Sequence, residues 1–181
     1  MTTRWRVCLA LAGGFLTATA LVGCEAYPTV LVSPLPSSAP VFQSEDEALA
    51  AATATYEGYA RSIDLLANDD EGAEEEILLF ATREAAASDV ETFEGIRASG
   101  QSLQGSTKPY NFLLAESDLV SGEVHLYVCL DIAEMRLIDE NGVDVTPNTR
   151  GNHQPFEATL AISDGKLLVE RNQAWGGTNF C

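Results

Sequence analysis

Basic residues are scarce in this chain: 10 lysines and arginines stand against 27 aspartates and glutamates, giving a formal charge of −17 over 181 residues. A surface of that sign repels phosphate backbones and excludes nucleic acid as a partner. Histidine occurs twice and cysteine four times, with no Cys-x-x-Cys and no His-Glu-x-x-His, so the usual zinc donor sets are missing. Also missing are the Gly-x-Ser-x-Gly nucleophile turn, the phosphate-cradling glycine loop and the dinucleotide-binding glycine pattern. No motif therefore assigns a catalytic residue, a metal or a cofactor. No internal repeat is visible.

What the chain does have begins at its start. Arg4 and Arg6 precede Val7–Val22, a stretch that is apolar or small apart from two threonines. That is the layout of an export signal, and it is short for a transmembrane helix. It ends Leu21-Val22-Gly23-Cys24, which resembles the lipobox of bacterial lipoproteins. The resemblance implies a signal peptide over 1–23, a diacylglyceryl group on Cys24 and, in many bacteria, a further acyl chain such as palmitate on the new amino terminus. Two or more chains hold a membrane stably, whereas one binds marginally. An ordinary secreted protein with a chance cysteine is the competing reading. Removing 1–23 leaves 8 basic against 27 acidic residues, a charge of −19 that anionic headgroups repel. A membrane partner thus requires the lipid anchor and an extracytoplasmic placement.

Residues 24–43 carry Pro28, Pro34, Pro36 and Pro40 among serines, which excludes helix and favours an extended tether. The domain proper is expected over 44–181. With Cys8 lost and Cys24 lipidated, Cys129 and Cys181 remain, 52 residues apart. An oxidising compartment favours a disulfide between them over metal ligation or a reactive thiol. Closing such a loop stabilises a fold by about 4 kcal/mol in the chain-entropy account.

Ser44-Glu45-Asp46-Glu47 is a capping box, and Leu49, Ala52, Tyr56, Tyr59 or Ala60, Ile63 and Leu66 recur at helical spacing, predicting a helix over 45–67. Asn68-Asp69-Asp70 with Gly72 breaks it. A second helix is expected to bury Ile77, Leu78, Phe80, Ala81 and Ala85, and Ser88-Asp89-Val90-Glu91 to open a short third one ending near Gly100. The period then changes to two. Strands are expected around Tyr110–Leu114, Val124–Ile132, Phe156–Ile162 and Lys166–Trp175, with turns at Ser121-Gly122, Asn141-Gly142 and Asp164-Gly165. Helices first and antiparallel strands afterwards read as α+β, a curved sheet wrapping a long helix.

Val124-His125-Leu126-Tyr127-Val128-Cys129-Leu130-Asp131, then Gly142-Val143-Asp144-Val145-Thr146, and Trp175-Gly176-Gly177 with Phe180-Cys181 resemble a group of small uncharacterised lipoproteins of Gram-positive bacteria. Their domains are similar to the nuclear-transport-factor-2-like, cystatin-like fold. That resemblance implies a cone: N-terminal helices packed in the concavity of a curved antiparallel sheet, with an apolar pocket between them. It implies no activity, since the fold hosts isomerases, dehydratases, carriers and interaction domains.

The pocket candidates are Tyr56, Tyr59, His125, Tyr127 and Trp175. If the His125 face lined the cone, His125 could act as a general base beside Tyr127. Asp131 lies six residues further, about 20 Å along a strand, too far for a dyad. The apolar face from Val124 to Ile132 is the more natural inner one, which puts His125 and Tyr127 outside. The acids Asp69, Asp70, Glu71 and Glu74–Glu76 could suggest calcium, but they lack EF-hand spacing and suit a helix start. His153 reads as a solvated loop residue, and Trp175 as a cover for the disulfide or a pocket edge. The expectation is a non-catalytic binding or interaction module of the cell envelope, meeting a small apolar ligand or a protein partner. The alternatives are an isomerase- or dehydratase-type enzyme using His125, and a structural accessory of a membrane complex.

Overall fold

The computed structural model describes residues 39–181; the signal segment, Cys24 and the tether as far as Ser38 lie outside the described residues. The order is α1 (Glu45–Ala67), α2 (Ala73–Ile77), α3 (Arg83–Ala98), β1 (Gln101–Gln104), β2 (Lys108–Asp118), β3 (Glu123–Asp131), β4 (Arg136–Asp139), β5 (His153–Ser163) and β6 (Lys166–Ala174). Strands β2-β3-β5-β6 form one antiparallel sheet, and β1-β4 a separate pair. The α+β cone expected above is the fold observed: the helices pack on one face of the sheet, against Val124, Leu126, Val128, Ala158, Leu160 and Val169. Bulges in β2, between Tyr110 and Leu113 and between Leu114 and Glu116, and at Glu170 in β6 bend the strands.

Helix α1 starts where its box predicts. The Ser44 hydroxyl accepts from the Glu47 amide at 3.2 Å, while Glu47 reaches one residue further back than the usual box, accepting from the Gln43 amide at 2.6 Å. Phe42 is already buried in the core, and its amide bonds Leu119 O at 3.1 Å. At the other end Asn68 donates to Gly105 O at 2.8 Å and accepts from the Gly105 amide at 3.0 Å. Asp64 accepts from the Thr107 amide and hydroxyl, both at 3.0 Å, so the turn before β2 is stapled to α1.

The second and third helices differ from expectation. Helix α2 stops at Ile77, and α3 begins at a Thr82 cap whose hydroxyl accepts from the Ala85 amide at 3.3 Å. Ser88-Asp89-Val90-Glu91 lies inside α3 and caps nothing. The cause is long-range: Thr82 N donates to Val169 O and Val169 N to Phe80 O, each at 2.8 Å, so residues 80–82 are held straight against β6. A helix through them would forfeit both bonds. Leu78, expected to be buried, is 41% exposed as a result.

Strands β1 and β4 leave no period-two signal in the sequence, because each is four residues long and β1 carries polar side chains at three positions and β4 at two. The Asn141-Gly142 signal closes a local turn: Gly142, at φ 78°, donates to Asp139 O at 2.9 Å, with one bridge between Ile138 and Asp144. It joins no pair of long strands. His153 is the first residue of β5 instead of a loop residue, paired with Asp131. Met135, just beyond β3, turns inward and is buried, its amide bonded to Ile132 O at 3.1 Å.

Candidate functional site

The interior of the cone is filled. Tyr56 and Tyr59 project from the buried side of α1 with ring centroids 5.7 Å apart, and Tyr56 meets Phe112 of β2 at 5.9 Å. Each phenol finds a partner at the rim, as buried hydroxyls must. Tyr56 donates to Asn172 Oδ1 of β6 at 3.0 Å, and Tyr59 to Asp89 Oδ2 of α3 at 2.8 Å. Burial raises both phenols well above the ordinary tyrosine value, and the Asp89 charge raises Tyr59 further. Burial also raises the Asp89 carboxyl, partly offset by the Tyr59 bond. Both hydroxyls therefore stay protonated and hold the rim together. What remains open at this mouth is about 220 Å³, lined by Tyr59, Glu84, Ser88, Asp89 and Asn172 among others. That is below the size of a typical small-molecule site.

A larger space lies outside the cone. A groove of about 620 Å³ runs between residues 78–84 and the β5–β6 hairpin, with Leu78, Ala81, Ala161, Ile162 and Leu168 as its apolar lining. Glu84 and Glu170 line both the groove and the mouth pocket, so the two spaces adjoin. The groove exists because residues 80–82 are drawn onto β6, leaving Leu78 stranded at the surface. The sequence does not reveal it, since the helical period places Leu78 on a buried side; a one-dimensional period does not record where a helix is interrupted from outside.

The five pocket candidates divide between the two faces of the sheet. Tyr56 and Tyr59 are inside; His125, Tyr127 and Trp175 are on the outer face, away from the helices. His125 Nε2 lies 2.7 Å from Glu123 Oε1 and its Nδ1 3.4 Å from Thr159 Oγ1, which also accepts from Arg171 at 3.2 Å. The premise for His125 as a base within the cone, that its face lines the interior, is not met. Tyr127 packs against Trp175 at 5.1 Å and Phe180 at 5.7 Å. Beside them Cys129 and Cys181 are joined in a disulfide with a Cα–Cα distance of 5.7 Å. Trp175 thus packs with Tyr127 and with Phe180, the residue before Cys181. His153 Nδ1 lies 3.0 Å from the Tyr110 hydroxyl on the same face. Around the acidic run, the Arg97 guanidinium reaches Asp69 at 3.4 Å and Leu66 O at 3.2 Å. Among the described residues no cluster of side chains is placed to hold a metal ion, and no helix is long and apolar enough to cross a membrane.

No protein-family model and no curated protein matches the chain. Its structure is similar to the crystal structure of a candidate aromatic ring hydroxylase from Novosphingobium aromaticivorans, with a TM-score of 0.50 and 15% identity, covering 73% of this chain and 90% of that one. It is also similar to the solution structure of a de novo beta-sheet design, with a TM-score of 0.40 and 12% identity, covering 70% of this chain and 91% of that one. The first likeness shows the fold alone: this is a helix-filled α+β cone, a class whose members differ in what they do.

Proposed function

We propose that this protein is a lipid-tethered, extracytoplasmic binding module of the cell envelope, anchored through Cys24 and presenting the outside of its cone to a partner. The observation that carries the binding half is the contrast between a filled interior and an open groove of about 620 Å³ outside it, where exposed Leu78 and Ile162 sit among Glu84, Asp164 and Glu170. Catalysis needs a titratable group in a water-excluding pocket, and the interior offers tyrosines already bonded at its rim. The Cys129–Cys181 disulfide supports the extracytoplasmic half, because such bonds persist where thiols are not kept reduced. The lipobox-like Leu21–Cys24 supports the anchor.

Two measurements test the two halves. Cells fed an alkyne-tagged fatty acid should label the wild-type protein, while Cys24→Ser should lose the label and leave the membrane fraction. An unlabelled wild type, or a variant behaving like it, overturns the anchor. For the groove, Nile red (neutral and environment-sensitive) should brighten on mixing with the wild type and far less with Leu78→Asn/Ile162→Asn. Equal fluorescence from both overturns the groove as a binding site.

A further inference from the structure

We propose that the groove between residues 78–84 and the β5–β6 hairpin docks an extended, apolar and positively charged segment of another protein. This rests on the binding reading above and names the chemistry of the partner.

The apolar part of the groove continues past its end. Leu78 and Ile162 are 41% and 37% exposed, and Val41 close by is 42% exposed. Val41 adjoins Ile162 over Gly122: a methyl carbon built on that glycine would lie 2.6 Å from Ile162 Cγ1 and 3.0 Å from Val41 Cγ1. The Val41 amide is bonded to Leu119 O at 2.8 Å, which fixes this end of the floor to the β2–β3 turn. Contiguous exposed apolar side chains with a polar rim are the mark of an interaction surface.

Charge selects among the occupants. Glu84, Asp164 and Glu170 line the groove against one cation, Arg83. A second copy of this chain would bring its own −19 charge, and an anionic lipid surface would be repelled in the same way. A segment with lysine or arginine beside leucine or valine satisfies both features: its apolar side chains lie on the floor, and its cationic heads reach the rim carboxylates. The adjoining mouth pocket adds Asp89 but also Arg171 to the wall, so the acidic excess belongs to the groove and does not grow towards the mouth. Acid attraction alone would not choose this groove over the rest of so acidic a surface; the apolar floor does.

The test uses the full mature chain with Cys24→Ser, free of membrane, and three fluorescent nine-residue probes read by anisotropy. One alternates lysine with leucine and valine, the second replaces its lysines by glutamate, and the third replaces its apolar residues by serine. The first should bind at least tenfold more tightly than either control and weaken as salt rises. Leu78→Asn/Ile162→Asn should weaken it at least tenfold, and Glu84→Gln/Glu170→Gln severalfold with a shallower salt dependence. Val143→Asn, at an exposed valine in the turn after β4, should leave it unchanged. Equal binding of the lysine–serine probe, or groove variants that bind like wild type, overturns the proposal. Nile red binding with no affinity for the first probe also overturns it while leaving the binding reading intact; loss of both removes the two together.

Discussion

Gly58→Ala separates two opposing effects in the middle of α1. In an ordinary helix interior the change is favourable by about 1 kcal/mol, because alanine has less backbone entropy to lose. Here a methyl carbon at position 58 would lie 2.7 Å from Phe80 Cζ and closer still to Cδ1 and Cε1. Carbon atoms pack at about 3.5–4 Å, so the ring must move by more than ~1 Å. Its backbone cannot follow, since the Phe80 carbonyl is held by the Val169 amide at 2.8 Å. Overpacking of this kind costs about 1–3 kcal/mol. The net expectation is destabilisation by about 1 kcal/mol, read from urea unfolding followed by circular dichroism. In a Phe80→Ala background the obstacle is gone, and the same glycine change should stabilise by about 1 kcal/mol. The cycle should therefore show a coupling of about 2 kcal/mol. If Gly58→Ala stabilises the wild type and the cycle shows no coupling, the contact that seats residues 78–82 against α1 is wrong, and with it the origin of the groove.

Three further outcomes are expected. Replacing Cys129 and Cys181 by serine should cost up to about 4 kcal/mol from the 52-residue loop, and should shift the fluorescence of Trp175, the one tryptophan remaining after residues 1–23 are removed; unchanged denaturant midpoint and emission would contradict both the bond and the aromatic packing beside it. Thr82→Ala should destabilise by about 1 kcal/mol as a lost cap, while Ser88→Ala should stay within about 0.5 kcal/mol; the reverse ranking would restore a helix start at Ser88. Because the folded-state pKa of Asp89 is raised, the folded domain takes up that proton more readily than the unfolded chain, so acidification from neutrality towards pH ~4 adds stability through this group. Asp89→Asn keeps an acceptor for Tyr59 and removes that gain: its melting temperature relative to wild type should be higher near neutrality than near pH ~4, and a pH-independent difference would refute the burial of the charge.

Much of the cone was legible in the chain because the signals were local or strictly periodic. The box at Ser44 and the apolar spacing through Leu66 set α1 over Glu45–Ala67, since a cap and a buried face both act within one helix. The unbroken face Val124, Leu126, Val128 identified the inner side of β3, and so placed His125 and Tyr127 outside before any contact was known. The cysteine arithmetic left Cys129 and Cys181 as partners, and they are bonded.

What failed to be legible depended on residues far apart in sequence. The second capping box at Ser88 has the right letters, but hydrogen bonding of residues 80–82 to Val169 moved the helix start to Thr82. The same bonds turned Leu78 outward. The sequence by itself determined the charge, the periodic faces of α1 and β3 and the cysteine pair, because composition, period and count need no partner. Only the tertiary structure decided that the cone is filled by Tyr56, Tyr59 and Phe112, and that the open space is a groove outside it. Packing and strand-edge bonding are set by which distant backbone groups meet, and a linear pattern does not contain that information.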